Sequence, residues 1–172
     1  MEVIIPAVKD GILDKNYGIL TEEKDTVKCG IPKKSFEIRW KGLPEGTKSI
    51  ALIYIDYDNA QDEGVPWVHW TAADIPADWE GLSENQSESG ECFVQGHNSW
   101  SIPYAPYDDI DETLTVGFGG PAPERCHEYE LEVYALDCLT GLKEGFYIND
   151  LRKAMRGHIL EKNTVLMKYI GK

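Results

Sequence analysis

The sequence predicts a mainly β fold, an antiparallel sheet or sandwich, and three observations carry that prediction. Ser49 to Ile55 reads SIALIYI, a β-rich run that is apolar at both parities and so suits a central strand covered on both faces. From His127 the chain alternates, with His127, Tyr129, Leu131, Val133 and Ala135 on one face and Glu128, Glu130 and Glu132 on the other. A convincing 3.6-residue period appears only near the C-terminus, where Asn149 is placed to cap a helix carrying Leu151, Ala154, Met155, His158 and Ile159 on one side.

Taken in order, Glu2 to Ile5 is a short apolar run stopped by Pro6, an edge strand. Asp10-Gly11, Asn16-Tyr17-Gly18 and Gly30-Ile31-Pro32 then punctuate a stretch of loops. Ser35 to Trp40 sets Phe36, Ile38 and Trp40 against Glu37, Arg39 and Lys41, the pattern of a half-buried strand. The central strand delivers Asp56 at its end, into the polar turn Asp56-Tyr57-Asp58-Asn59-Ala60. That turn opens D-x-D but lacks the next oxygen ligand and the glycine of a calcium loop. Pro66 opens a strand from Trp67 to Ala73 that Pro76 closes, with Trp67, His69 and Thr71 on one face and Val68, Trp70 and Ala72 on the other.

Asp78 to Gly96 is rich in Ser, Glu and Gly, and reads as a structureless run that is functional or mobile. Loop character continues through Gly96 to Pro106, and Asp108 to Glu112 is an acidic cluster. Gly117 to Pro123 then concentrates glycine and proline, a backbone able to turn N–H groups toward an anion. It feeds a strand that opens with His127 and Tyr129 on its buried face, which places a cleft at a sheet end. Gly157 ends or kinks the helix, and Val165 to Ile170 reads as the last strand.

The 172 residues suit one domain spanning 1–172. The N-terminus lacks a basic leader, and no run approaches the roughly 18 apolar residues of a membrane span, so the expectation is a cytoplasmic protein without integral membrane contact. Four cysteines at wide spacing, with no C-x-x-C, indicate neither a zinc knuckle nor a disulfide framework. A net charge of −13 argues against nucleic acid as a partner. No Lys or Arg occurs between Lys48 and Arg125, so an anion bound there must rely on histidine and backbone N–H groups. The tail is basic, with Arg152, Lys153, Arg156, Lys162, Lys168 and Lys172 against Asp150 and Glu161, and offers itself to an acidic rim or to a homodimer face.

Asp56 ending a central strand, D-x-D-x-A in the next turn, V-H-W in the following strand, GFGGPAP, H-x-Y, YALD and NDLRKAMRGHIL together resemble the phosphatidylethanolamine-binding protein family, in its bacterial and archaeal Raf-kinase-inhibitor-like branch. The resemblance implies an antiparallel β-sandwich with a large central sheet and one or two helices. It also implies a small cavity for phosphate-like anions and phosphorylated head groups. Matched to this sequence, the cavity residues are Asp56, His69, Gly119, Gly120, Pro121, His127 and Tyr129, with Trp67 as a wall. Three departures stand out. Both prolines of the family's D-P-D-x-P are replaced, by Tyr57 and Ala60, so a looser turn is expected; the arginine of H-R-Y is Glu128; and only Glu124-Arg125-Cys126 separates Pro123 from His127.

These residues support binding without catalysis and without a cofactor. Two imidazoles, a phenol and loop N–H groups supply donors, a charged histidine would favour dianionic phosphate, and Asp56 would orient a histidine or accept from an ammonium group. The expected ligand is a small phosphorylated compound or lipid head group, phosphoethanolamine above bare phosphate, because Glu124, Glu128 and the Asp78–Glu91 loop make the rim acidic. One alternative is an enzyme, metal-dependent through Asp56, His69 and His127 or hydrolytic through Cys126 and His127, although strand neighbours point to opposite faces. Another is a protein-interaction module using the acidic surface, with a kinase or protease as the partner the resemblance implies.

Overall fold

The protein is described by a computed structural model covering residues 1–103 and 110–171. In chain order the strands are β1 (Glu2–Ile4), β2 (Val8–Lys9), β3 (Ile12–Leu13), β4 (Val27–Lys28), β5 (Ile31–Pro32), β6 (Ile38–Lys41), β7 (Ser49–Asp56), β8 (Trp67–Pro76) and β9 (Gly81–Leu82). The short helix α1 (Gln86–Ser89) and β10 (Val94–Gln95) follow, then β11 (His127–Leu136), α2 (Ile148–Ala154) and β12 (Ile159–Tyr169). The main sheet has the order β10-β8-β7-β11-β12-β3-β2; a second sheet is β1-β6-β9, and β4 pairs with β5.

β7 is buried along its whole length because both flanks and both faces are covered. On one face Ile50, Leu52 and Tyr54 pack with Leu131, Val133 and Trp70 against Phe36, Ile38, Trp40 and Leu82 of the smaller layer. On the other, Ala51, Ile53, Ile55, Tyr134 and Leu136 are covered by Leu151 and Met155 from α2 and its C-terminal end, and by Phe146. Each such aliphatic side chain contributes about 1.5–3 kcal/mol on burial, which fixes the register of the strands that carry the site. Among the described residues no helix is long and apolar enough to cross a membrane.

The structure corrects four local expectations. The helix is α2, capped by Tyr147 rather than Asn149, with Asp150 accepting from the Tyr147 N–H at 3.2 Å. It stops before His158 because Gly157 takes φ +79°. Ile159 instead opens β12, which pairs with β11 from Leu136↔Ile159 to His127↔Tyr169 and so starts well before Val165. The Asp78–Gly96 run is ordered by β9, α1 and β10, with Ser87 and Gln95 buried. In β8, a bulge between the Tyr54↔Trp70 and Ile55↔Val68 pairs breaks the expected alternation. His69 and Trp70 both turn toward the smaller layer, His69 against Tyr54 and Trp70 against Phe118. Asp108 and Asp109 of the acidic cluster, and the end of the Gly96–Pro106 loop, lie outside the described residues.

Candidate functional site

The antiparallel register sets Trp67, Asp56 and Tyr129 side by side on three adjacent strands, at the end where β7 finishes and β8 and β11 begin. With His69, they line a cavity of about 350 Å³ closed by Trp100, Ile110, Ala122 and Pro123 and edged by Cys29, Asn59 and Glu63. A larger groove of about 650 Å³ runs along Trp40 and Trp79 on the small sheet, but the buried Asp and His residues converge on the smaller cavity.

His69 is fixed by the glycine-rich loop. Its Nδ1 lies 2.6 Å from the Gly119 carbonyl oxygen, which can only accept, so the ring proton sits on Nδ1 and the lone pair on Nε2. Burial pushes its pKa down to about 4, with the Gly119 hydrogen bond and the Asp56 charge opposing that shift, and the ring is neutral at pH 7. The ring packs edge-on against Trp100 and Tyr129, at 5.5 and 5.2 Å between centroids. Burial likewise raises the Tyr129 phenol far above its ordinary range, and Tyr54 and Asp56 reinforce the shift.

Asp56 anchors the floor. Its Oδ2 accepts from His127 Nδ1 at 2.7 Å and its Oδ1 from the Asn59 N–H at 3.0 Å, and Tyr129 is its neighbour across the β7–β11 pairing. His127 is 2 % exposed and lies behind Asp56 rather than on the cavity surface. Its Nε2 is 2.8 Å from Asp62 Oδ2, without the alignment of a hydrogen bond, and Arg125 holds Asp62 from the other side at 3.2 Å. His127 is thus held between two carboxylates, with Asp56 fixing its Nδ1–H.

The N–H groups of Gly117 to Gly120 are taken up within the protein rather than offered to an anion. Gly117 N–H donates to Gly96 O, Phe118 to Ser87 Oγ, Gly119 to His69 O and Gly120 to Pro32 O, at 3.1, 2.8, 2.8 and 2.7 Å. Gly119, Gly120 and Pro121 therefore back the wall, and Ala122 and Pro123 form its surface. The glycines serve close approach: a Cβ on Gly119 would meet the Trp100 ring at 2.6 Å, and one on Gly120 the Tyr17 carbonyl oxygen at 2.3 Å. A buried polar network supports this loop from behind. Gln95 Oε1 accepts from Trp70 Nε1 at 2.8 Å and from Ser87 Oγ at 2.6 Å, and Ser87 in turn receives Phe118 N–H.

The turn after Asp56 is tied down despite its missing prolines. Besides the Asn59–Asp56 contact, Asn59 Nδ2 donates to Val65 O at 2.9 Å and Glu128 N–H to Asp58 Oδ2 at 3.0 Å, so side chains replace ring constraints. Glu128 faces outward, as its parity requires. The acidity near the cavity comes from Asp56, Asp62 and Glu63, whereas Glu84 pairs with Lys34 and Glu88 with Lys28 away from it. From the basic tail, Arg152 and Lys162 pair with Glu132 on the α2 face, so they do not reach this rim. Trp100, Asn59 and Asp62 are site residues that the motif reading missed. For Trp100 the Asn98-x-Trp100 pattern is a local signal: Asn98 Oδ1 accepts the Trp100 N–H at 3.1 Å and sets the indole over the cavity.

Among the described residues, Asp56, His69 and His127 do not gather three ligand atoms within 4.8 Å, the spacing that Asp137, Cys138 and His158 do reach. All four cysteines are free, and Cys126 is exposed while His127 is buried. The sequence and fold have counterparts among known proteins. Protein YxkA of Bacillus subtilis is 39% identical over 137 residues, covering 79% of this chain and 81% of that protein. A UPF0098 protein of Methanothermobacter thermautotrophicus is 33% identical over 136 residues, covering 77% and 80%. Two crystal structures share the fold at low identity. Escherichia coli YbcL, described as a member of the mammalian PEBP family, gives a TM-score of 0.74 at 23% identity over 99% of this chain and 98% of its own. CT736 of Chlamydia trachomatis, a putative PEBP homologue by its description, gives 0.73 at 24% over 97% and 95%. The sequence model of phosphatidylethanolamine-binding proteins matches residues 8–170, and the chain belongs to that family.

Proposed function

We propose that the protein is a non-catalytic binding protein whose cavity takes a small head group rich in hydrogen-bond donors, a zwitterionic phosphomonoester of the phosphoethanolamine kind in preference to bare phosphate. The carrying observation is the state of His69: neutral, its Nδ1–H given to Gly119, its Nε2 left as an acceptor. Asp56 and Glu63 on the lining add negative charge, and the lining contains no Lys or Arg among the described residues. Such a cavity disfavours a dianion and favours an ammonium group or a phosphate hydroxyl that donates to the imidazole. The faces of Trp67, Trp100 and Tyr129 suit a cation as well. The neutral state of His69 and the internal partners of the Gly117 to Gly120 N–H groups weigh against phosphate recognition by a charged His69 and by those four groups.

Both histidine nitrogens that could serve catalysis at the floor face carboxylates, Nδ1 of His127 toward Asp56 and Nε2 toward Asp62, which supports binding over hydrolysis. A phosphorylated side chain on a kinase or protease partner would present related chemistry at the same mouth. Calorimetric titration with phosphoethanolamine, ethanolamine, inorganic phosphate and a phosphoserine peptide ranks these ligands. Phosphoethanolamine is expected to bind at least about tenfold more tightly than phosphate, a difference of roughly 1.4 kcal/mol, and His69→Ala is expected to remove that preference. Equal affinity for the two, or tighter phosphate, would refute the reading.

A further inference from the structure

At the opposite end of the same strands, Asp137 and Cys138 leave β11 and His158 precedes β12. Each offers one ligand atom, and the three atoms lie within 4.8 Å of one another. The backbone fixes their approach: Asp137 N–H donates to His158 O at 3.1 Å, and Ser49 Oγ donates to Cys138 O at 2.5 Å. His158 Nδ1 is 2.8 Å from Asp137 Oδ1, in a pair whose side chains are 48% and 44% exposed.

We propose that Asp137, Cys138 and His158 form a binding site for a borderline-soft divalent cation, with Zn²⁺ the best match. Thiolate, imidazole and carboxylate together select zinc over the oxygen-seeking Mg²⁺ and Ca²⁺. Tetrahedral bonds of about 2.0–2.3 Å place ligand atoms roughly 3.3–3.7 Å apart, so the 2.8 Å His158–Asp137 contact must open by about 0.5 Å while the Cys138 Sγ, within 4.8 Å of both, closes in by at most about 1.5 Å. Two half-exposed side chains can supply that by rotation, and water completes the fourth position. The surroundings are electronegative. Asp74, held at φ +58° at a second bulge of β8, between the Ile50↔Ile75 and Leu52↔Ala72 pairs, accepts from the Thr140 and Gly141 N–H groups and adds its charge near Cys138. Burial and these two carboxylates, Asp137 and Asp74, disfavour a bare thiolate, and a cation reverses that balance when it replaces the thiol proton. Bound metal would fasten the start of β12 to the end of β11 across the segment that carries α2.

The test is a Co²⁺ titration of reduced, chelator-treated protein, read by sulfur-to-cobalt charge-transfer absorption. Cys29, Cys92 and Cys126 are exposed, so the reference is the variant with all three replaced by Ser, leaving Cys138 as its one thiol. It is expected to develop the band at one equivalent and to lose it to added Zn²⁺. Cys138→Ser in that background should abolish the band, and His158→Ala and His158→Gln should weaken binding at least about tenfold, with metal-free circular dichroism unchanged. A reference variant that shows no band would overturn the proposal, and so would a band that survives Cys138→Ser. Phosphoethanolamine binding at the far cavity is measured separately and does not enter this result.

Discussion

At one end of β11, His127 meets Asp56 in a contact where both side chains are at most 4% exposed; at the other, His158 meets Asp137 with both nearly half exposed. The residue types and hydrogen-bond lengths are almost the same, 2.7 and 2.8 Å. Burial makes the difference. The inner pair is part of the scaffold, its carboxylate shared between His127 and Asn59, and it leaves ligand chemistry to the neighbouring His69. The outer pair has its backbones joined by the Asp137 N–H to His158 O bond, but its half-exposed side chains attract each other through screening solvent and keep freedom to rearrange around a cation. β8 repeats the contrast, with His69 at a bulge beside the cavity and Asp74 at a bulge near Cys138.

This contrast breaks if the two pairs respond alike to mutation. Asp56→Ala strands a buried imidazole and should lower unfolding free energy in urea by about 3–5 kcal/mol. The next effect concerns pH. Because the His69 pKa falls from 6.5 to about 4 on folding, the unfolded chain binds a proton in that interval that the folded chain does not. Stability therefore declines as pH drops through that window, by up to about 3 kcal/mol from this group, and His69→Phe should flatten the slope. A wild-type slope unchanged by that substitution would remove His69 from the account. Gly119→Ala drives a methyl into the Trp100 ring and should cost about 1–3 kcal/mol and weaken phosphoethanolamine binding together. Smallest is His158→Ala, which in metal-free protein should change stability by less than about 1 kcal/mol. A loss comparable with that of Asp56→Ala would erase the distinction between the two ends.

Much of the cavity end was legible in the sequence because strand periodicity and motif order both bear on it. Asp56, Trp67, His69 and Tyr129 do meet on its lining. His127 was assigned correctly to the buried face, yet periodicity cannot say that it stands one layer behind, since that depends on the Asp56–Tyr129 register. The bulge at His69 was invisible to an alternation rule that counts residues without their partners. The Gly/Pro loop differs for a related reason: its composition permits exposed N–H groups, but those of Gly117 to Gly120 are taken up by Gly96, Ser87, His69 and Pro32, distant in sequence. The stretch around Gln95 looked structureless because its order rests on a buried polar network rather than an apolar stripe. At the far end, Cys138 and His158 are separated by α2, and only the Leu136↔Ile159 pairing brings them together.

The most direct test of the central claim is long-range ¹⁵N NMR of the His69 ring from pH 3.5 to 8, with and without phosphoethanolamine. The account predicts a neutral Nδ1–H tautomer whose titration midpoint lies near 4 in the free protein, and an Nε2 resonance that shifts when the ligand donates to it. A midpoint near the ordinary 6.5, or a proton found on Nε2, would contradict it.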